Sequence, residues 1–273
     1  MNYSFVVLST EAFPPVSLAP GIVEQCIESG EGAPYPMLAV TGLLQDQLEE
    51  KIKETNQYLE ASNKGRVDIS LFNGLRAFVV TGPPASLVGL VNNLKKGKAE
   101  QGKDQGRIPF SKRLPVFSIR FLPVGVPYHS HYLSQCTSTA LEKDVDDAIV
   151  AFWRRDKLQI PVYHTETGRD LRSDSTVHGE NSLVEELFDQ IFQRPIHWTV
   201  ATKFNDDATH VVDFGTGGQS GIGSLTARES EGKGTRVVVA STGTNGRKIE
   251  EVYSSTTLKV ENKWMDKFGP KLV

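Results

Sequence analysis

The stretch VDISLFNGLRAFVV, residues 67–80, decides the fold. From Val67 to Leu71 apolar residues alternate with polar ones, and this period of two is typical of a β-strand with one buried face. Asn73-Gly74 predicts a tight turn, because this pair readily adopts the positive φ angles of a type I′ hairpin. Residues 77–80 continue as a second strand. The stretch therefore predicts two antiparallel strands joined by a short turn.

Strands and helices alternate on both sides of this hairpin. Upstream, residues 37–40 predict a strand, and apolar residues at helical spacing predict a helix over 44–59. Downstream, a helical stripe covers 87–94, and the chain returns as a strand over 114–124. The order strand, helix, strand, strand, helix, strand is that of the ferredoxin-like βαββαβ unit. We therefore expect such a unit over residues 36–124.

The rest of the chain predicts an α/β arrangement around that unit. Alternation of strands and helices favours a parallel sheet with covered faces. Residues 1–35 are rich in Pro and Gly, and after residue 241 the periodicity is lost, as in a linker or tail. Helices are expected at 22–27, 141–152 and 183–191, and strands at 160–163, 210–214 and 237–240.

Composition excludes several classes of protein. A formal net charge of −3 in 273 residues does not indicate a surface built for nucleic acid. The two cysteines, Cys26 and Cys136, are too few for a disulfide framework or a cysteine-ligated zinc site, and they favour a reducing compartment. No basic residue precedes Lys51, so a secretory signal is not indicated, and no run of about 18 apolar residues predicts a membrane span. A soluble, cytoplasmic protein is expected.

The densest candidate for chemistry is PYHSHYL, residues 127–133, in a Gly/Pro-rich loop between a predicted strand and a predicted helix. Histidine titrates near neutral pH, so His129 or His131 has the chemistry to take a proton from an alcohol and return it. From spacing alone, two ordinary loop histidines are the better interpretation. A metal site is weaker still, since no third ligand lies nearby with suitable spacing.

A glycine-rich stretch, residues 215–221, follows the predicted strand at 210–214. A glycine loop between a strand and a helix is one way to bind phosphate. Its spacing fits neither Gly-x-Gly-x-x-Gly nor the P-loop pattern, so nucleotide binding is a minor alternative. Ser220 lacks the second glycine that a nucleophile elbow requires.

The loop at 127–133 resembles the catalytic-histidine motif of acyl-CoA:acyl-carrier-protein transacylases, and more narrowly the acetyltransferase domain of the β subunit of fungal type I fatty acid synthase. The synthases that make starter acids for polyketides share this domain. Further segments match in the order that the family requires, and together they cover nearly the whole chain: residues 31–37, 70–74, 79–84, 107–111, 159–163, 194–198 and 213–215.

The resemblance implies a partial α/β-hydrolase-like large subdomain, interrupted by a ferredoxin-like small subdomain. The corresponding bounds are 1–35 and 125–241 for the large subdomain, 36–124 for the small one, and 242–273 for a tail. The expected reaction moves an acyl group from coenzyme A to a serine and then to the phosphopantetheine thiol of an acyl carrier protein. The partners implied are the carrier protein, the remaining synthase domains and the α subunit, with no metal and no permanently bound cofactor.

The resemblance also assigns roles to single residues. His129 is implied to be the general base, held by a main-chain carbonyl at or beside Ile191 rather than by an aspartate. Asn73 and His131 are implied to line the substrate pocket, and the glycines Gly215 and Gly217 are implied to pack close to it. For Asn73, a plain hairpin turn is at least as good an interpretation.

Two departures from the family pattern change the expectation. The family's nucleophile lies in Gly-His-Ser-x-Gly, and no Gly-x-Ser-x-Gly occurs in these 273 residues. In relatives that elbow lies upstream of the region matching Ser9, so the chain is expected to be truncated and to supply the base without the serine. The alternative is an inactive fragment or a module that binds carrier protein or subunits.

The second departure concerns the acyl group. Malonyl-using relatives place an arginine before the segment matching residues 10–12, where this chain has none. An uncharged acyl group such as acetyl is therefore expected.

Overall fold

The structure is a computed structural model that describes residues 8–62, 64–99, 105–106, 108–142, 155–173, 182–203, 208–215, 221–239 and 250–251. Two compact units divide the chain, Met1–Lys203 and Phe204–Val273. The predicted α/β class is confirmed, whereas the predicted bounds of the subdomains stay a prediction. Each unit is described by itself.

The first unit is built around one sheet and the helices that follow its strands. Residues 8–12 are also helical, and single 3₁₀ turns lie at Phe110–Lys112, His131–Leu133 and Arg155–Lys157. The elements are α1 (Pro20–Glu28), β1 (Met37–Thr41), α2 (Gln45–Ala61), β2 (Asp68–Gly74), β3 (Ala77–Thr81), α3 (Pro84–Lys96), β4 (Ser118–Phe121), α4 (Ser134–Ala140), α5 (Ser182–Phe192), β5 (Ile196–His197) and α6 (Trp198–Ala201).

The sheet has the strand order β4-β1-β3-β2-β5. Strands β1 to β4 pair antiparallel throughout, with α2 and α3 connecting them in the order βαββαβ. The short strand β5 adds to the edge of β2 in parallel, with Leu71 opposite Ile196 and Phe72 opposite His197. A segment from much later in the chain therefore closes the β2 edge of the ferredoxin-like unit.

Helices α2 and α3 bury their apolar stripes against this sheet. Each large apolar side chain buried in this core stabilises the fold by about 1.5–3 kcal/mol, because its surface is removed from water. The core members with relative exposure of 2% or less are Leu38, Val40, Leu48, Leu59, Val67, Phe78, Val80, Leu87, Leu90, Val91 and Leu94. Asn56 is buried beside them, because its amide exchanges two hydrogen bonds of 2.9 Å with the main chain of Val67.

Three predicted boundaries are wrong for physical reasons. The hairpin turns at residues 75–76, and Asn73 lies instead in β2 at a shift of register between Phe72 and Gly74. The strand expected over 114–124 is reduced to β4, since the prolines at 115 and 123 cannot donate to a ladder. Residues 160–163 form no strand but a single bridge between Tyr163 and Asp170, and Pro161 again lacks the N–H.

A second apolar cluster lies apart from that core and packs α4 against α5. It places the chain that leaves β4 next to the C-terminal half of α5. The predicted helix over 183–191 is confirmed, whereas α4 ends at Ala140 and residues 143–152 of the other predicted helix lie outside the described residues. The buried members are Leu8, Val126, Leu133, Cys136, Ala140, Val184, Phe188 and Phe192.

The second unit contains β6 (His210–Asp213), α7 (Ile222–Glu229), β7 (Arg236–Val239) and β8 (Glu250–Glu251). Strands β6 and β7 are parallel, as expected for strands joined through a helix, and β8 pairs antiparallel with β7. In the part of the chain that is described, no helix has the length and apolar character to cross a membrane.

Candidate active site

The loop between β4 and α4 carries His129 in an unusual backbone conformation. Its φ angle is +59°, and among the described residues no other non-glycine residue has a positive φ. This left-handed conformation costs a residue with a Cβ roughly 1–2 kcal/mol, so the surroundings must hold it. They do so through Ser130, whose N–H donates to the Phe192 carbonyl at 3.0 Å and whose hydroxyl donates to the Pro127 carbonyl at 2.5 Å.

The hydrogen bonds of His129 determine which ring nitrogen carries the proton. Atom Nδ1 lies 2.9 Å from the main-chain oxygen of Gln190 and 3.2 Å from that of Arg194. Both partners are carbonyl oxygens, which only accept, so Nδ1 must be the donor in the neutral ring. Nε2 then keeps its lone pair. The geometry therefore leaves Nε2 able to take a proton.

Burial also changes the pKa of the His129 imidazole. It lowers the pKa of His129 below the ordinary value of 6.5, and the two hydrogen bonds to main-chain carbonyls oppose this shift in part. A neutral ring with a free Nε2 is consequently the form present near neutral pH. This is the protonation state that a general base requires.

The C-terminal carbonyls of helix α5 point toward the histidine loop, residues 122–133 between β4 and α4. Those carbonyls lack partners within the helix, and the end of the helix carries a partial negative charge. Gln190 accepts from His129, Phe192 accepts from Ser130, and Asp189 accepts from the N–H groups of residues 193 and 194. An imidazolium formed at His129 would be stabilised by this helix end, without any carboxylate on Nδ1.

A small polar cluster locks α4 to the same helix end. The Asp189 carboxylate accepts from the Thr137 hydroxyl at 2.7 Å and from the Gln193 amide at 2.6 Å. The Gln193 amide also lies 3.2 Å from the Thr137 hydroxyl. Because α4 follows the histidine loop directly, this cluster sets the distance between His129 and the carbonyls that hold it.

An orienting carbonyl is expected at or beside Ile191, and the α5 carbonyl on Nδ1 is that of the neighbouring residue, Gln190. The carbonyls on Nδ1 belong to Gln190 and Arg194, and the Ile191 side chain is 42% exposed. The sequence carries a signal for the second partner, since Pro195 cannot continue a helix and so leaves the preceding carbonyls free. Which carbonyl faces the ring depends on the rotation of α5, and periodicity does not show that to one residue.

His131 has different neighbours from His129. Its ring is exposed, with Nδ1 3.7 Å from the Asp68 carboxylate at the start of β2. The next residue, Tyr132, donates from its hydroxyl to the Arg66 carbonyl at 2.7 Å. Burial and the neighbouring Asp68 carboxylate raise the pKa of Tyr132 to about 12, so the phenol stays protonated as a donor. His131 and Tyr132 therefore join the histidine loop to the sheet.

Asn73 lies at the opposite end of β2. It is five residues from Asp68, a distance of about 16 Å along an extended strand. The described polar partners of His129 do not include it. Beside Asn73, the Phe72 ring stacks on the His197 ring with 4.2 Å between centroids and 10° between planes.

Gly215, one of the two glycines of the predicted pocket, lies in the second unit. The Gly215 N–H donates to the Asp213 carboxylate at 2.7 Å, and a Cβ at residue 215 would lie 2.8 Å from that carboxylate. Asp213 also accepts from the Gly223 N–H at 2.9 Å. Gly217 lies outside the described residues.

A buried pair of His164 and Glu186 was not predicted from the sequence. His164, which is 4% exposed, lies with Nε2 2.6 Å from the Glu186 carboxylate on α5. Its Nδ1 accepts from the N–H groups of residues 166 and 167, so both ring nitrogens are engaged and no base is available there. Across the described part of the chain, no group of three or more His, Cys, Asp or Glu side chains is arranged to hold a metal ion.

The sequence is similar to that of known proteins of fatty acid synthesis. A family model described as "Starter unit:ACP transacylase in aflatoxin biosynthesis" matches residues 16–115. The chain is 44% identical over 271 residues to the fatty acid synthase subunit beta of Saccharomyces cerevisiae, covering 96% of this chain and 13% of that protein. It is 40% identical over 272 residues to the corresponding subunit of Schizosaccharomyces pombe, covering 98% of this chain and 12% of that protein.

The fold has a solved counterpart in a bacterial protein. The malonyl CoA-acyl carrier protein transacylase from Clostridium perfringens superposes with a TM-score of 0.57 at 17% identity, covering 86% of this chain and 57% of that one. At this identity the likeness concerns the fold. The chain spans about one eighth of the curated relatives that it matches.

Proposed function

Because this chain is a homologue of the acyltransferase domain of fungal fatty acid synthase β subunits, we propose that it takes part in acyl transfer from coenzyme A to acyl carrier protein, with His129 as the general base. The observation that carries the proposal is the pair of carbonyls on Nδ1 of His129, which leaves Nε2 as the acceptor of a proton. The homology supports the reaction class, and this geometry supports His129 as the base.

In the proposed first half-reaction, Nε2 of His129 takes the proton of a serine hydroxyl while the serine oxygen attacks the thioester carbonyl. The C–S bond breaks, and the imidazolium returns the proton to the departing coenzyme A thiolate. In the second half-reaction, Nε2 takes the proton of the phosphopantetheine thiol, whose sulfur attacks the serine ester. The serine oxygen leaves and regains the proton. The net change is one acyl group moved between two thiols, with no bound cofactor.

The serine is proposed to come from outside the 273 residues, in which no Gly-x-Ser-x-Gly occurs. Acetyl is the proposed acyl group, because the first fifty residues hold no Lys or Arg to pair with the free carboxylate of a malonyl group. The acyl carrier protein and the α subunit of the synthase are the proposed partners. Two free, buried cysteines support a reducing, cytoplasmic setting.

A second candidate is an inactive module of the same fold that binds carrier protein or other subunits. The absence of the nucleophile motif from these 273 residues favours it. The two candidates differ in one property: the first transfers acyl groups once a serine elbow is supplied, and the second does not.

Transfer of radiolabelled acetate separates them. The test protein is the S. cerevisiae β subunit in which this chain replaces the segment that aligns with it, assembled with its own α subunit. We expect label from acetyl-CoA to reach the carrier protein in this chimera, and we expect no covalent label on the 273-residue chain alone. Unlabelled malonyl-CoA should compete poorly. A folded, assembled chimera that does not transfer label would favour the binding module.

A further inference from the structure

Gln190 takes part in two separate sets of hydrogen bonds. Its main-chain oxygen accepts from His129. Its side-chain oxygen Oε1 accepts from the N–H of Thr165 at 2.9 Å and from the Thr165 hydroxyl at 3.1 Å. An N–H can only donate, so the atom that faces Thr165 must be the amide oxygen, and the orientation of the amide is determined.

The second set of bonds continues to the sheet. The Thr165 carbonyl accepts from the N–H of His197 at 3.0 Å. His197 lies in β5, opposite Phe72 of β2, and its ring stacks on the Phe72 ring. An unbroken series of contacts therefore runs from the imidazole of His129 through Gln190 and Thr165 to the edge of the antiparallel sheet.

The Gln190 amide is deeply buried, with 6% of the residue exposed, and its Nε2 atom has no hydrogen-bond partner among the described residues. A buried donor without a partner typically costs about 1–3 kcal/mol. An apolar side chain of similar length would avoid that cost but would leave two Thr165 donors unsatisfied. The contribution of this side chain is therefore its acceptor oxygen.

We propose that Gln190 is a positioning residue for the base: its side chain, held by Thr165, fixes the rotation of this turn of α5 and so keeps the Gln190 carbonyl on Nδ1 of His129. This inference rests on the proposed function, since it assigns a role to a residue that acts through His129. It also predicts that the segment at 164–168 and strand β5 determine how well the base is held.

The test uses the 273-residue chain with ¹⁵N-labelled histidine. Imidazole ¹⁵N shifts report which ring nitrogen carries the proton, and the His129 signals are identified by their loss in His129→Gln. In the parent we expect His129 to be the Nδ1–H tautomer. In Gln190→Met, which fills similar space without an acceptor, we expect a mixture of tautomers and exchange of the Nδ1 proton with water at least about tenfold faster.

Three further variants make the test sharp. Gln190→Glu retains an acceptor oxygen for Thr165 and should restore the Nδ1–H tautomer. Thr165→Val removes only the hydroxyl donor, so an intermediate exchange rate is expected, and it serves if Gln190→Met does not fold. Ile191→Ala, at the exposed neighbouring position, should leave the His129 signals unchanged.

Unchanged tautomer and exchange in both Gln190→Met and Thr165→Val would overturn the proposal. In the S. cerevisiae chimera, Gln190→Met should lower kcat for acetyl transfer about tenfold or more with little change in KM. The spectra do not depend on acyl transfer. A tautomer that responds as expected in a chimera that never transfers acetate would remove the proposed function and leave the coupling intact.

Discussion

Atom Nδ1 of His129 lies 2.9 Å from the main-chain oxygen of Gln190, at the C-terminal end of helix α5. A helix end takes the place that a carboxylate occupies in a Ser-His-Asp triad. The helix end carries only a partial charge, so it orients the ring and favours the imidazolium less strongly than a buried carboxylate would. Because burial also lowers its pKa below 6.5, the His129 imidazole is neutral near neutral pH.

The burial of His129 predicts that acid weakens the fold through this residue. Its folded-state pKa lies below the ordinary 6.5, so between those two values the unfolded chain binds more protons than the folded chain. The free energy of unfolding should therefore fall as pH decreases through that window. Between about pH 7.5 and about pH 5.5, the parent should lose more stability than His129→Gln, measured by urea unfolding. An NMR titration that gives His129 a pKa above 6.5 would contradict this account.

The positive φ of His129 predicts an unusual order of stabilities. At φ +59° glycine is unstrained and alanine is not, so His129→Gly should be more stable than His129→Ala by about 1 kcal/mol. Ser138, exposed in helix α4, provides the matched control. There the order reverses, with glycine less stable than alanine by about 1 kcal/mol. Urea unfolding of the four variants measures both differences, and equal stabilities at position 129 would argue against the left-handed conformation.

Gly65 predicts how tightly the histidine loop docks on the sheet. A Cβ at this residue would lie 2.6 Å from the Tyr132 hydroxyl and 2.7 Å from Cγ of Pro83. Gly65→Ala should therefore displace Tyr132 and cost about 1–3 kcal/mol. Gly89, inside α3, has no atom within 4 Å of an added Cβ, so Gly89→Ala should instead stabilise by about 0.5–1 kcal/mol. Thermal unfolding distinguishes the two signs, and equal effects would exclude the close approach.

The Asp189 cluster predicts a coupling between α4 and α5. Asp189→Ala should lower stability by about 1–3 kcal/mol, because it leaves the Thr137 hydroxyl and the Gln193 amide without their shared acceptor. With Thr137→Val, the double-mutant cycle should give a coupling of about 1 kcal/mol. Gln135→Ala, at an exposed position of α4, should stay within about 0.5 kcal/mol of the parent. Full additivity of Asp189→Ala and Thr137→Val would show that the two side chains do not interact.

Local patterns were sufficient for the ferredoxin-like unit. The alternation around the hairpin is clear because β2 and β3 are consecutive strands that pair with each other. The apolar stripes of α2 and α3 are clear because each helix runs for 13 or more residues. The errors lie where a local pattern competes with a missing donor or a distant partner. The prolines at 115 and 161 shortened or removed predicted strands, and β5 formed because β2 offers an edge, which no pattern at 196–197 shows.

For the candidate site too, some features were predictable from local sequence and others were not. The motif at residues 127–133 contains the histidine that contacts the end of α5, and Pro195 indicated where that helix ends. The choice of Gln190 over Ile191, the second carbonyl at Arg194, and the buried pair of His164 with Glu186 depend on the rotation and packing of α5. These are tertiary contacts, and the periodicity of the local sequence does not predict them.

The central claim is that Nε2 of His129 accepts the proton in acyl transfer. The most direct measurement is the rate of acetyl transfer to carrier protein by the S. cerevisiae chimera carrying His129→Gln, with Gln135→Ala at an exposed position of α4 as the control. We expect His129→Gln to lose about 10²–10⁴-fold in kcat, and Gln135→Ala to stay within a few-fold of the parent chimera. A His129→Gln chimera that is folded, assembled and as fast as its parent would contradict the account.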